Sequence, residues 1–256
     1  MSDAPTSIDL SFSLKDKIAV VTGGASGIGR AIAQAYHDKG AKVALVDLKL
    51  DAAKAEAAAI GTDVLSYGCD VSDFASVQAA VAAIVADCGR IDILVNSAGI
   101  VALAPAEELT LDAWSMTINV NLSGSFFMAQ TVGKVMLAAG YGRIINLASQ
   151  AGSVALDQHV AYCTSKFGVI GLTKVLASEW AGRGVNCNCI SPTVVLTELG
   201  KKAWEGPKGE ALKQLIPTGR FAIPEEIAAA AVFLASGGAD MINGADLLID
   251  GGYTIR

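Results

Sequence analysis

The chain has 256 residues, of which 52% are hydrophobic and 17% charged, enough for one large folded domain without disulfides or metals. Its formal net charge of −6 comes without a basic stripe, so we expect no nucleic-acid partner. The longest apolar run, near residues 228–235, is far shorter than the ~18 residues of a membrane-spanning helix, so we expect no membrane partner.

The ends of the chain and its cysteines suggest where the protein works. Residues 1–13 lack the basic flank and the apolar core of a secretory signal, so we expect a flexible tail at 1–13 and a single domain at 14–256. The five cysteines are an odd number, and no Cys/His cluster has zinc-binding spacing. We therefore expect reduced thiols, no metal site and a cytoplasmic protein.

The elements predicted in chain order alternate in type. Seven β-branched apolar runs predict strands at 17–22, 42–47, 64–69, 91–95, 142–148, 185–190 and 246–249. Six Ala-rich stretches with helical spacing predict helices at 28–39, 51–60, 73–88, 121–139, 161–181 and 224–235. This alternation predicts the α/β class, a single doubly wound Rossmann-type domain with about seven parallel strands and helices on both faces. Residues 193–223 fall outside the pattern and are a candidate substrate lid.

A glycine-rich loop, residues 22–29, follows the first predicted strand. Its glycines permit a close approach to a pyrophosphate, and the helix that opens near Gly27 directs free N–H groups at that anion. An ordinary strand–helix turn is the alternative, but a place in the first βαβ unit favours dinucleotide binding.

Two aspartates follow the next two strands. Asp47, 18 residues after Gly29, can bind both hydroxyls of an adenosine ribose and would repel a 2′-phosphate, which predicts NAD. Asp47 could instead cap the next helix. Asp70 could bind the adenine amino group, or it could cap the helix that begins near Ser72.

Tyr162 and Lys166 stand four residues apart on a predicted helix, so their side chains share one face. The Lys166 cation would lower the pKa of the Tyr162 phenol, which could then exchange a proton with an alcohol or carbonyl oxygen. Ser149, which closes the fifth strand, could hold the same oxygen. Asn121, early in a helix, could reach Lys166 through a chain of waters.

Together these motifs resemble the short-chain dehydrogenase/reductase family over almost the whole chain. The resemblance implies a catalytic tetrad of Asn121, Ser149, Tyr162 and Lys166. It implies a cofactor site formed by Gly23, Ser26, Gly27, Ile28, Gly29, Asp47, Asp70, Val71, Asn96, Ala98, Gly99, Tyr162, Lys166, Pro192, Val195 and Thr197. In that family Lys166 would bind the nicotinamide ribose, Val195 the carboxamide and Thr197 the phosphate region. Ser97 and Thr193 depart from the common pattern, which has Asn and Gly there.

Shorter motifs are similar to the L-xylulose reductase branch and to bacterial sugar-alcohol dehydrogenases acting on galactitol or threitol. The motifs shared with the L-xylulose reductase branch are Ser149-Gln150, residues 159–163, residues 192–200 with Trp204, and residues 216–221. The motif similar to the sugar-alcohol dehydrogenases is the closing segment, residues 250–254. The resemblance implies NAD-dependent interconversion of a short alditol and a ketose, although L-xylulose reductases use NADP. The implied substrate residues are Ser149, Gln150, His159, Tyr162 and Trp204.

Other interpretations stay open at this point. A 3-oxoacyl thioester (acyl-carrier-protein) reductase would need a basic patch near the cleft, and a non-catalytic nucleotide-sensing module would typically lack the Tyr or the Lys. His159 could pack locally, and Trp204 could be an exposed loop or interface residue. Apolar residues on several faces of the helices at 121–139 and 161–181 predict a homotetramer with D2 symmetry. Examples are Phe126, Phe127, Val169 and Leu172.

Overall fold

The computed structural model describes residues 8–255, which fold around one parallel sheet with the strand order β3-β2-β1-β4-β5-β6-β7. The strands are β1 Ile18–Thr22, β2 Lys42–Asp47, β3 Leu65–Gly68, β4 Ile93–Asn96, β5 Gly142–Leu147, β6 Val185–Pro192 and β7 Asp246–Ile249. The helices are α1 Gly27–Asp38, α2 Leu50–Ile60, α3 Phe74–Cys88, α4 Leu111–Ile118, α5 Gly124–Ala139, α6 Val160–Trp180, α7 Glu198–Ala203, α8 Pro207–Gln214 and α9 Pro224–Ala235. The predicted fold class is confirmed.

The strands lack a polar face because helices cover the sheet on both sides. Successive β1 residues alternate between two buried clusters, with Val21 in one and Val20 in the other. The first cluster includes α1 and α9, and the Tyr36 hydroxyl of α1 donates to the Ala231 carbonyl of α9 at 3.0 Å. The second includes residues of α3, α5 and α6.

Most differences from the predicted elements lie at their ends. The bounds of β2, α9 and β7 match the prediction, whereas β4 begins at Ile93 and β6 continues to Pro192. The predicted helix at 121–139 begins as an α-helix only at Gly124, because residues 119–123 form a π-helical turn. Val169, one of the apolar residues from which the tetramer was predicted, is buried in a cluster with Ala148 and Cys189.

The helix α4 was missing from the predicted elements. Its apolar residues do not form a buried stripe, since Leu111 is 82% exposed and Met116 59% exposed. The available signal was Thr110, whose Oγ1 accepts a hydrogen bond from the Ala113 N–H at 3.2 Å and caps the helix. Hydrophobic periodicity therefore failed here, and capping chemistry would have found the helix.

The candidate lid contains α7 and α8, and a parallel bridge between Val195 and Ala222 joins its two ends. The predicted tail at 1–13 falls partly outside the described residues, and its extent stays a prediction. Within the described part, the Phe12 ring packs against Phe233 with 5.5 Å between ring centroids. Among the described residues, no helix has the length and apolar character that a membrane span requires.

Candidate active site

All seven described strands run in the same direction, so their carboxyl ends lie along one edge of the sheet. Thr22, which the sequence interpretation did not single out, joins two of these ends. Its Oγ1 accepts hydrogen bonds from the N–H groups of Ser97 and Ala98 at 3.0 and 3.1 Å. A threonine that closes β1 directly before the glycine loop was the available signal. This bond fixes the 96–99 segment beside the loop.

The glycine loop has no room for side chains at two positions. Gly23 has a φ of +63°, and a Cβ atom there would lie 3.0 Å from the Ala98 backbone. A Cβ atom on Gly29 would lie 2.3 Å from the Gly23 carbonyl oxygen. The loop therefore holds its shape only with glycine at these positions.

The start of α1 fits a pyrophosphate. Ser26 is the N-cap residue of α1, yet its exposed hydroxyl makes no capping hydrogen bond. The helix runs for 12 residues from Gly27, and Ile28 is its second residue. Thr197 lies against the loop, because a Cβ atom on Gly27 would be 3.2 Å from Thr197 Cγ2. Free N–H groups, a free hydroxyl and the helix dipole suit an anion at this place. The loop residues therefore fit the phosphates of a dinucleotide.

The two aspartates have different surroundings. Asp47 Oδ2 accepts from the Ala25 N–H at 3.2 Å, and this bond ties the end of β2 to the glycine loop. Asp70 Oδ1 accepts from the N–H and the hydroxyl of Ser72 at 2.9 and 2.6 Å. The N-cap of α3 is Asp73, so neither Asp70 nor Ser72 caps that helix. The adenine-binding role of Asp70 stays a prediction.

Several predicted cofactor residues turn their side chains away from the edge of the sheet. Val71 packs in the core, and a Cβ atom on Gly124 of α5 would lie 2.9 Å from it. Asn96 Nδ2 donates to Asn146 Oδ1 at 2.9 Å inside the sheet. Only the backbone of Val71 and Asn96 is therefore available to a cofactor.

Ser149 lies beside the Tyr162 phenol, and its hydroxyl acts to lower the pKa of that phenol. The Ser149 Oγ also accepts from the Ala151 N–H at 3.1 Å, which fixes the hydroxyl at the end of β5. Burial raises the pKa of the Tyr162 phenol, and the Ser149 hydroxyl opposes that rise only in part. The expected lowering of the Tyr162 pKa is therefore wrong for the protein chain alone.

Lys166 is 6% exposed, and its Nζ donates to the Leu147 carbonyl at 2.6 Å. The Nζ lies 5.5 Å from the centroid of the Tyr162 ring, so the predicted pair does share one face of α6. Burial lowers the pKa of Lys166 to about 8, because desolvation disfavours the charged ammonium. A nearby anion would therefore stabilise the charged form of the Lys166 ammonium.

Asn121 lies in the π-helical turn rather than early in an α-helix. Its Oδ1 accepts from the Ile100 N–H at 2.8 Å, while its Nδ2 donates to the Ile100 carbonyl at 2.9 Å and to Ser165 Oγ at 3.1 Å. These bonds tie Asn121 to protein atoms, and the expected chain of waters to Lys166 stays a prediction. A Cβ atom on Gly99 would lie 3.3 Å from Asn121 Oδ1 and 3.8 Å from Lys166 Nζ. The tetrad residues Asn121 and Lys166 thus meet at Gly99.

Of the implied substrate residues, Gln150 and His159 lie close to Ser149 and Tyr162 in the chain, whereas Trp204 lies in the candidate lid. Gln150 is buried directly after Ser149. His159 precedes Tyr162 by three residues, with 6.1 Å between the ring centroids, and lines an open cavity of about 510 Å³. Trp204 lies between α7 and α8, with its ring 6.2 Å from that of Phe221 and no ring contact to the tetrad. Its role as a lid over substrate stays a prediction.

The tautomer of His159 follows from its hydrogen bond. Its Nδ1 lies 2.6 Å from the carbonyl oxygen of Asp157. Since a carbonyl oxygen only accepts, Nδ1 carries the hydrogen, and the neutral ring has an acceptor at Nε2. His159 can therefore accept a hydrogen bond from a hydroxyl group.

Comparisons with known proteins agree with this geometry. A family model described as enoyl-(acyl carrier protein) reductase matches residues 23–254. D-threitol dehydrogenase of Mycolicibacterium smegmatis is 66% identical over 253 residues, which are 98% of this chain and 97% of that protein. NAD-dependent glycerol dehydrogenase of Listeria innocua is 51% identical over 248 residues, with 97% and 98% covered. A solved gluconate 5-dehydrogenase of Burkholderia cenocepacia, in complex with NADP and tartrate, is 34% identical with a TM-score of 0.92, covering 96% of this chain and 98% of that one.

We expect Gly29→Ala to disrupt the glycine loop, because the new methyl group would overlap the Gly23 carbonyl. The free energy of unfolding in urea should fall by about 1–3 kcal/mol, and NAD binding measured by fluorescence titration should weaken. Gly182→Ala is the matched control, since nothing lies within 4 Å of a Cβ atom there. It should change stability by no more than ~0.5 kcal/mol. Equal behaviour of the two variants would contradict the assigned packing of the loop.

Proposed function

The chain belongs to the short-chain dehydrogenase/reductase family, and on this premise we propose that it is an NAD-dependent polyol dehydrogenase that interconverts a short alditol and a ketose. D-threitol-like and galactitol-like alditols are the proposed substrates. The observation that carries the proposal is the buried Lys166, whose Nζ lies 5.5 Å from the centroid of the Tyr162 ring, in a chain 66% identical to a D-threitol dehydrogenase. The enzyme acts on CH–OH groups.

In the proposed mechanism, the Tyr162 phenolate removes the proton from the carbinol hydroxyl of the alditol. Ser149 is fixed by the Ala151 N–H, so its hydroxyl holds the substrate oxygen beside the phenol. The positive charge of Lys166 stabilises the phenolate, and Asn121 keeps the neighbouring loop in place through Ile100. When bound, the nicotinamide cofactor supplies the hydride acceptor.

Recognition of a hydroxyl-rich substrate is assigned to polar groups around the reacting carbon. His159 Nε2 accepts a hydrogen bond from one substrate hydroxyl, because Nδ1 is committed to Asp157. Gln150 offers further polar atoms next to Ser149. A site with such groups favours an alditol over a simple alcohol, since the simple alcohol leaves them unpaired.

The 3-oxoacyl thioester reductase is the second candidate, and the acyl-carrier-protein wording of the matched family model is in its favour. Relatives at 66% and 51% identity are named for threitol and glycerol, which favours the polyol. The net charge of −6 is also unsuited to an acidic carrier protein. A nucleotide-sensing module is disfavoured because Asn121, Ser149, Tyr162 and Lys166 are all present.

The cofactor is proposed to be NAD. Asp47 is held at the end of β2 by the Ala25 N–H, next to the glycine loop, so its carboxylate would face an adenosine ribose. A carboxylate there repels a 2′-phosphate. The Listeria relative is named NAD-dependent, while the Burkholderia structure holds NADP, so the family accommodates both. In this chain, Asp47 determines the preference for NAD over NADP.

The assembly is proposed to be a homotetramer in the cytoplasm. Phe126 on α5 and Phe167 on α6 are 38% and 50% exposed, and apolar rings at the surface favour a helix–helix interface. The five cysteines form no disulfide with one another, which suits a reducing compartment.

We expect static light scattering at micromolar concentration to give four times the chain mass of 26.1 kDa. Phe126→Glu should lower that mass, because it would place a charge in the proposed interface. A parent protein with the mass of one chain would refute the tetramer.

Tyr162→Phe should lower kcat for alditol oxidation by ~10²–10⁴ while NAD binding is retained. In the parent enzyme the rate should rise with pH, because the base is the deprotonated phenol and burial raises its pKa. Tyr67→Phe is the control, since that phenol bonds to Asp87 on the surface. A Tyr162→Phe enzyme with a parental rate and pH profile would exclude Tyr162 as the base.

Cofactor preference should reverse when the Asp47 carboxylate is removed. Asp47→Ser combined with Leu48→Arg should raise kcat/KM for NADP and lower it for NAD, since the new cation can bind a 2′-phosphate. Asp51→Ser removes a fully exposed carboxylate nearby and should leave the preference unchanged. A parent enzyme that uses NADP as well as NAD would show that Asp47 has another role.

The substrate proposal is tested by oxidation of three- to six-carbon alditols with NAD⁺, followed by NADH absorbance. His159→Leu should reduce kcat/KM for D-threitol more than for 2-butanol, because only the alditol has a hydroxyl for Nε2. His37→Leu is the control, because His37, the other histidine of the chain, bonds to Asp63. It should not change the ratio between the two substrates. Activity on acetoacetyl thioesters without activity on any alditol would favour the second candidate.

A further inference from the structure

Two buried side-chain oxygens at the carboxyl edge, Gln150 Oε1 and Thr193 Oγ1, have no hydrogen-bond partner among the described residues. Gln150 is 4% exposed and Thr193 8% exposed, so neither oxygen reaches open solvent. Buried polar atoms in folded proteins are nearly always paired, and an exception needs a physical reason. A ligand that supplies the missing partner is one such reason.

The two other unpaired buried atoms in the described part of the chain have a different setting. Asn96 Oδ1 belongs to an amide whose nitrogen already donates to Asn146, and Arg143 Nε to a guanidinium already paired with Asp240. Both groups are therefore anchored inside the protein. Gln150 and Thr193 instead follow the ends of β5 and β6, and Ser149 of the predicted tetrad lies at the same end of β5.

The position of Thr193 follows from the strands that precede and flank it. β5 and β6 are paired neighbours, so Thr193 after β6 and Gln150 after β5 lie at adjacent strand ends. The Thr193 N–H donates to the Ile249 carbonyl at 3.1 Å, which extends the β6–β7 ladder by one residue. Cys189 faces α6, where it packs with Val169. Because strand residues alternate, Thr193 shares the face of Cys189, on which α6 also carries Tyr162.

We propose that Thr193 is a further specificity-determining residue, which binds with Gln150 a second hydroxyl of the alditol, next to the reacting carbinol. This inference rests on the proposed function. The substrate hydroxyl donates its one hydrogen to Gln150 Oε1, and its oxygen accepts a hydrogen bond from the Thr193 hydroxyl. A monohydroxy alcohol leaves both oxygens unpaired, so the two residues discriminate against it.

The test compares Thr193→Val, which removes the hydroxyl at nearly constant volume, with Thr193→Ser, which keeps it. Thr193→Val should lower kcat/KM for D-threitol by about tenfold, the effect of one neutral hydrogen bond. With 2-butanol the value should change by less than about twofold, because that alcohol has no second hydroxyl. Thr193→Ser should retain most of the parental ratio between the two substrates.

Thr131→Val is the matched control, since the Thr131 hydroxyl bonds to the Phe127 carbonyl of its own helix, α5. Thermal unfolding of every variant checks that it folds, and Thr193→Ala, which also removes the hydroxyl, serves if Thr193→Val does not fold. An equal loss on both alcohols, an unchanged D-threitol value, or a raised KM for NAD⁺ alone would each overturn the role of Thr193. Parent enzyme inactive on every alditol would overturn the proposed function as well, and the two failures are thereby distinguished.

Discussion

The site depends on the burial of one ammonium group, that of Lys166, beside the phenol of Tyr162. A buried cation is unfavourable unless its N–H groups donate hydrogen bonds. Here Lys166 Nζ donates to the Leu147 carbonyl oxygen, at the end of β5, at 2.6 Å. The same burial brings the pKa of Lys166 to about 8 and raises that of Tyr162. Burial thus shifts both groups towards their neutral forms, and the proposed phenolate depends on the pair acting together.

The parallel sheet supplies the rigid frame for this pair. Every described strand ends at the same edge, so Thr22, Ser149 and Thr193 all lie along it although they are far apart in the chain. Short polar bonds then connect the pieces, such as Thr22 to the Ser97 and Ala98 N–H groups. A parallel bridge between Val195 and Ala222 joins the two ends of the candidate lid. The residues between them can therefore differ among relatives without disturbing the carboxyl edge of the sheet.

The fold could be predicted because its signals are local. The continuous apolar strands and the glycine residues at the β1–α1 turn can each be recognised from a few neighbouring residues. The helix α4 was missed because tertiary context leaves Leu111 and Met116 exposed. The protein partners of Asn121 could not be predicted, because Ile100 and Ser165 are distant from it in sequence. The sign of the Tyr162 pKa shift needed the burial of the phenol, which no spacing encodes.

The central claim is that a carbinol hydrogen leaves an alditol as hydride while Tyr162 takes the proton. D-threitol deuterated at both secondary carbons, incubated with the enzyme and NAD⁺, tests this claim most directly by mass spectrometry of the products. Our account predicts NADH that carries one deuterium from the alditol and a ketose that has lost one of its two deuterium atoms. No reduced cofactor, or NADH without deuterium beside the oxidised sugar, would contradict the account.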